Sequence, residues 1–151
     1  MRGGIVVAKS FVEEIEKQRK EQDAIYHNVA VKFGLSDTAM WILYFVSDKT
    51  MEYTQQDLCR MSYCAKQTVN TAINGLVKKG FVVLESADGS RKQKKIVLTD
   101  RGREVTDATT DKLKAAEEKT FRHFTDGELK SYLEMTARIT AFLREETEQI
   151  N

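Results

Sequence analysis

The fold of this chain is decided by residues 54–99, TQQDLCRMSYCAKQTVNTAINGLVKKGFVVLESADGSRKQKKIVLT. Thr54 followed three residues later by Asp57 is a capping-box start, with Asp in place of the more usual Glu, for a short helix over about 55–61. A turn over 62–65 leads to a second helix over 66–79, which Gly80 stops. Residues 81–84 and 95–98 read as paired strands around a turn at Ala87-Asp88-Gly89-Ser90. Helix, turn, helix and basic hairpin in this order predict a winged helix-turn-helix, in which the second helix can enter a DNA major groove with the hairpin beside it.

Charge supports the same reading. The 151 residues carry a net charge of only +1, but residues 60–103 hold ten Lys or Arg and three acids. That segment is therefore at +7 and the remainder at −6, a basic middle suited to a polyanion between acidic ends. A solvated charged face is the ordinary explanation of such a run. Its coincidence with the helix-turn-helix pattern favours nucleic acid.

Working outward, the absence of proline and an apolar content of 41% predict one globular, mainly helical domain over 1–151. Phe11, Ile15, Gln22, Ile25, Tyr26, Val29 and Phe33 recur near helical spacing over 10–33, with a polar gap at 18–21. An interrupted stripe suits a partner helix better than a deep core. Ser36 caps a nearly all-apolar helix over about 37–46, which should be central. Thr99 caps a long helix from Asp100 to about 121–124, and Thr125 with Glu128 opens the last helix, to about 149. The expected organisation is a DNA-binding lobe at 36–99 flanked by helical dimerisation segments at 10–33 and 100–149. The fold class is mainly α with a small β-hairpin wing. Terminal helices with broad apolar stripes on so small a domain point to a two-fold homodimer.

Within the second helix of the motif, Val69, Ala72, Ile73, Leu76 and Val77 should face inward. Lys66, Gln67, Asn70, Thr71 and Asn74 fall on the other side and are the candidates for groove contact. Amides can pair with adenine N6 and N7, and a Thr methyl can meet the thymine methyl. An amphipathic helix whose polar face meets only water is the plain alternative. In the wing, Arg91, Lys92, Lys94 and Lys95 crowd five positions. Pleat alternation should put Lys94 and Lys95 on opposite faces, so Arg91 and Lys92 at the tip are the stronger candidates, with Lys94 beside them.

Other chemistry has little support. Cys59 and Cys64, the two cysteines, fit structural thiols in a reducing compartment, although oxidation of Cys64 beside the reading helix would weaken DNA binding. His27 and His123, the two histidines, supply too few ligands for a metal site. No nucleophile-base spacing or phosphate-binding glycine loop is present, so neither an enzyme nor a cofactor is expected. No apolar run approaches a membrane span, and no signal peptide is evident; the expected location is the cytoplasm.

With these residues placed, the chain resembles MarR-family transcriptional regulators over nearly its whole length. The resemblance rests on LSDTAMWIL at 35–43, YTQQDLCRMSYCAKQTVNTAINGLVKKGF at 53–81 and KKIVLTDRG at 94–102. It implies a homodimer on a palindromic double-stranded operator, usually a repressor, often released by a small aromatic effector. The family's pocket between the dimer helices and the lobe would here draw on Tyr26, His27, Trp41, Tyr44 and Phe45, which would equally suit a plain core. Two departures stand out. The family's wing Asp-x-Arg is replaced by Ser90 and Lys92, with Asp88 two residues too early. The usual hydroxyl cap of the recognition helix is Ala65, which costs about 1 kcal/mol of capping unless Ser62 substitutes. Gln67-Thr68-Val69-Asn70 resembles a subgroup that also tends to lack Asp-x-Arg. A winged-helix module for protein contact and a redox- or metal-sensing regulator on the same fold are the alternatives.

Overall fold

The computed structural model describes residues 2–48, 50–87 and 93–150, with side chains from Lys9 onward. The elements run α1 (Arg2–Lys32), α2 (Asp37–Val46), β1 (Tyr53–Thr54), α3 (Gln55–Ser62), α4 (Lys66–Lys78), β2 (Val82–Ser86), β3 (Lys94–Leu98), α5 (Asp100–Ala108), α6 (Thr110–Phe121) and α7 (Asp126–Thr147). The chain divides into two compact units, residues 1–112 and 113–151.

In the first unit the core is built around α2 and α4. Met40, Ile42 and Leu43 of α2 and Val69, Ile73 and Leu76 of α4 are each at most 2% exposed. Leu58 of α3 and Val82 of β2 complete it. Ser36 caps α2 by accepting from the Ala39 N–H at 3.2 Å. The sheet is antiparallel in the order β1-β3-β2, with Val82 opposite Leu98 and Ser86 opposite Lys94. Strand β1 is only two residues long, pairing Tyr53 with Ile96 and Thr54 with Lys95, too short for a periodic signal to announce it. It ties the start of α3 to the closing strand of the wing.

The turn from β3 into α5 explains the sequence Thr99-Asp100-Arg101-Gly102. The Thr99 hydroxyl donates to the Gly80 carbonyl at 2.6 Å and accepts from the Gly102 N–H at 2.9 Å. This one side chain caps α5 and fixes the end of the α4–β2 connection. A Cβ on Gly102 would lie 1.9 Å from the Phe81 carbonyl oxygen, so only glycine permits this approach.

Three sequence expectations are corrected. Helix α1 begins at Arg2, well before residue 10. The long helix expected from Asp100 is broken at Thr109, whose φ of −120° and ψ of −85° separate α5 from α6. Thr106, Thr109 and Thr110 are buried there, and their hydroxyls donate to the carbonyls of Arg103, Val105 and Thr106. Hydroxyls that bond back to helix carbonyls compete with the regular ladder and bend it. Finally, Val77 is 39% exposed. At 100° per residue it lies about 80° around the helix from Val69, on the flank of the buried stripe.

The second unit contains most of α6 and all of α7. Thr125 and Glu128 close a reciprocal capping box: Glu128 accepts from the Thr125 N–H at 2.8 Å, and Thr125 from the Glu128 N–H at 3.3 Å. Helix α7 has no buried residue. Tyr132, Leu133, Met135, Ile139, Phe142 and Leu143 are all more than half exposed.

Candidate nucleic-acid interface

Helix α3 is held by its own first turn. Asp57 accepts from the Thr54 N–H at 2.9 Å and from the Thr54 hydroxyl at 2.6 Å, while the Asp57 N–H donates to the Thr54 hydroxyl. The Thr54 hydroxyl, its backbone N–H and the Arg60 guanidinium hold the Asp57 carboxyl below its ordinary value. Helix α4 begins differently. Its cap residue is Ala65, and no side chain satisfies its first N–H groups. Ser62 does not substitute, because its hydroxyl accepts from the Cys64 N–H at 3.4 Å. Unsatisfied N–H groups with the positive end of the helix dipole leave this terminus open to an anion, and Lys66 stands on it.

The polar side chains of α4 fall into two sets. Taking Val69 as the centre of the buried stripe, Gln67, Thr71 and Asn74 lie roughly 140–200° away, diametrically outward. All three are exposed. The Thr71 hydroxyl donates to the Gln67 carbonyl at 2.9 Å, which fixes its rotamer and turns its methyl group and remaining lone pairs to solvent. Asn70, about 100° from Val69, is half-buried on the flank. Gln67 and Thr71 also line a largely apolar groove of about 690 Å³ shared with Leu35, Ser36, Thr38 and Ala39.

Lys66 enters a second groove, of about 480 Å³, lined by Thr54, Gln55, Gln56, Cys59, Lys66, Gln93 and Lys94. Helix α4, the start of α3 and the wing strand thus contribute to one polar, cationic trough. Sequence reasoning missed Gln55, Gln56 and Gln93, whose only signal was their amide chemistry near the ends of elements. Cys59, assigned to structural packing, is half-buried in this trough, and Cys64 is half-buried in the turn. The alternation expected of the wing strand holds. Exposed Lys94 donates to the Ser86 hydroxyl at 3.2 Å, whereas Lys95 is largely covered and pairs with Glu52 at 2.8 Å and Glu85 at 3.9 Å. Arg91 and Lys92, together with Asp88 and Ser90, lie outside the described residues.

The aromatic residues singled out earlier come together in the first unit. Trp41 lies 5.2 Å from Tyr26, 5.2 Å from Tyr44 and 6.4 Å from Phe45, ring centre to ring centre. Tyr53 extends the cluster from Phe45 at 6.1 Å. The His27 Nδ1 is 2.9 Å from the Asp37 carboxylate, bridging α1 to the first turn of α2. Among the described residues no three His, Cys, Asp or Glu are grouped to hold a metal ion, and no single helix is long and apolar enough to cross a membrane.

Residues 33–93 match the model of the MarR family. No curated protein matches the chain. Several solved structures share its fold. The transcription regulator MarR from Oenococcus oeni is 15% identical with a TM-score of 0.73, over 87% of this chain and 98% of that one. A MarR family transcriptional regulator from Listeria monocytogenes, complexed with a 26mer DNA, is 15% identical with a TM-score of 0.69, over 89% of each chain. NadR in complex with 4-hydroxyphenylacetate is 12% identical with a TM-score of 0.68, over 83% of this chain and 89% of that one. The match covers α2 through β2 and ends before β3, and the solved structures share the winged-helix fold over most of the chain: the chain is similar to MarR-family transcriptional regulators.

Proposed function

We propose that the protein is a cytoplasmic, homodimeric repressor that binds a palindromic operator through α4 and the wing. The observation that carries this reading is the outward set Gln67, Thr71 and Asn74 on a helix whose opposite face is core, flanked by a trough holding Lys66 and Lys94. Short amides and hydroxyls on such a face read base edges, and the lysines follow the phosphates. The DNA complex of the Listeria monocytogenes relative supports the same use of the fold. Asn70 serves from the flank, and Arg91 and Lys92 extend the contact along the wing.

The dimer is supported by unit 2. A stripe of exposed Tyr132, Met135, Ile139 and Phe142 on α7 is expensive to leave in water, at about 1.5–3 kcal/mol per large side chain fully buried. Phe11, Ile15 and Ile25 of α1 offer a similar stripe. For release, a small aromatic effector against Tyr26, His27, Trp41, Tyr44 and Phe45 is the reading supported by the ligand that NadR holds.

Selection of the full-length protein on random double-stranded oligonucleotides tests the proposal. A palindrome with half-sites about 10 bp apart is expected, since both reading helices must meet one face of the duplex. Gln67→Ala should then cost about 1–3 kcal/mol of discrimination at one base position. Enrichment of no sequence would overturn the operator reading.

A further inference from the structure

Tyr63 ends α3 in the left-handed conformation, with φ 51° and ψ 20°. It is the one non-glycine residue with positive φ among those described. It is also 93% exposed, and its hydroxyl has no partner among the described residues. A side chain with a Cβ is disfavoured in this backbone region, which normally falls to Gly or Asn. The ring buries almost nothing in return, so folding of the lobe does not account for a tyrosine here.

Its position does. Tyr63 lies in the turn between the two helices of the motif, three residues before Lys66. Three peptide links span at most about 11 Å. The two residues between them, Cys64 and Ala65, have short side chains that leave the ring clear. The backbone of Tyr63 is therefore within about 11 Å of Lys66, which opens the uncapped end of α4 and lines the trough with Lys94.

We propose that Tyr63 anchors the DNA backbone: its phenol O–H donates to a phosphate oxygen on the strand that Lys66 also follows, and its ring lies against the adjoining sugar. The inference rests on the DNA-binding reading and adds to it a contact outside the recognition helix and wing. Phosphates recur about every 3.4 Å of rise along a strand, so neighbouring groups fall within reach of the two side chains. A neutral donor displaces no counterion and reads no base. Losing it should weaken all sequences alike and leave the salt dependence unchanged.

The test compares full-length wild type, Tyr63→Phe and Tyr63→Gly on the selected operator and on a scrambled duplex of equal length, at several salt concentrations. Tyr63→Phe should weaken both about ten- to a hundredfold, as expected for one hydrogen bond to a charged group. Tyr63→Gly should weaken both further, while its thermal midpoint holds or rises because glycine accepts the left-handed turn freely. Wild-type affinity in both variants overturns the proposal, as does a loss confined to the operator. A lower thermal midpoint in Tyr63→Gly, or dissociation of its dimer, would place the ring in the fold or between copies instead and would equally overturn it. Wild type that binds neither duplex removes the DNA-binding reading itself, whereas wild-type binding with unaffected variants removes only the role of Tyr63.

Discussion

In α4 the apolar side chains Val69, Ile73 and Leu76 are at most 2% exposed, while in α7 Leu133, Ile139, Phe142 and Leu143 are 53–66% exposed. Both helices are amphipathic. The lobe uses the apolar side of α4 for its own core, and what remains outward is amide and hydroxyl. Within unit 2 the apolar side of α7 has no such use and stays outward. Sequence amphipathicity alone does not separate the two cases, because it records that a face wants cover and not who provides it. The exposed face of each helix then points to its partner: a polar, hydrogen-bonding surface for α4 and an apolar one for α7.

The contrast is open to experiment. The largest effect should come from charging the α7 stripe. Ile139→Asp with Phe142→Asp should turn a dimer into a monomer in sedimentation at micromolar concentration and abolish the concentration dependence of the thermal midpoint. A wild type that is monomeric at every concentration would remove the dimer. On α4 the same kind of residue should behave as core: Leu76→Ala, at a site 1% exposed, should cost about 2–5 kcal/mol in denaturant unfolding. A cost below 1 kcal/mol would mean that α4 is not packed as described. Gly102→Ala should lose about 1–3 kcal/mol, because the added carbon meets the Phe81 carbonyl and α5 must move. Thermal unfolding checks it, and an unchanged midpoint would show that the contact relaxes freely.

The smallest effect concerns the two helix starts of the helix-turn-helix. Thr54→Ala should cost about 1 kcal/mol by removing the cap of α3, whereas Ala65→Ser at the start of α4 should gain stability and compete with DNA for the same N–H groups. Asp57 adds a pH dependence of definite sign. Its folded carboxyl titrates below the unfolded one, mainly through the Thr54 hydrogen bonds. Its contribution is therefore complete above the ordinary Asp value, about 3.9, and fades as pH falls through the lower folded value. The stability gap between wild type and Asp57→Asn should narrow as acid is added. A gap that is constant from pH 6 to pH 2 would exclude this contribution.

Much of the lobe was legible because its signals are local. Thr54 with Asp57, Ser36, Thr99 and Thr125 each announce a helix within four residues, and the structure contains all four caps. The alternation in 94–98 separated Lys94 from Lys95 correctly, since period two is a property of the strand itself. Val77 was misplaced because periodicity gives a direction around the helix but not the width of the buried sector. Strand β1 was missed because two residues have no period. The break at Thr109 escaped notice because the three threonines 106, 109 and 110 matter through where their hydroxyls point, and that follows from burial.

The same division holds for the interface. The residue types alone determined that a helix with an amide-rich face would follow a short capped helix, and that a basic hairpin would come next. Short-range chemistry writes such features directly into the order of residues. Only the tertiary structure decided that Lys66 and Lys94, 28 positions apart, line one trough with Gln55 and Gln56, and that Tyr63 is left exposed in the turn before α4. Those relations depend on β1 pairing with β3 and on α2 packing beneath α4. Long-range pairing is a property of the packed chain as a whole, and no local run of residues carries it.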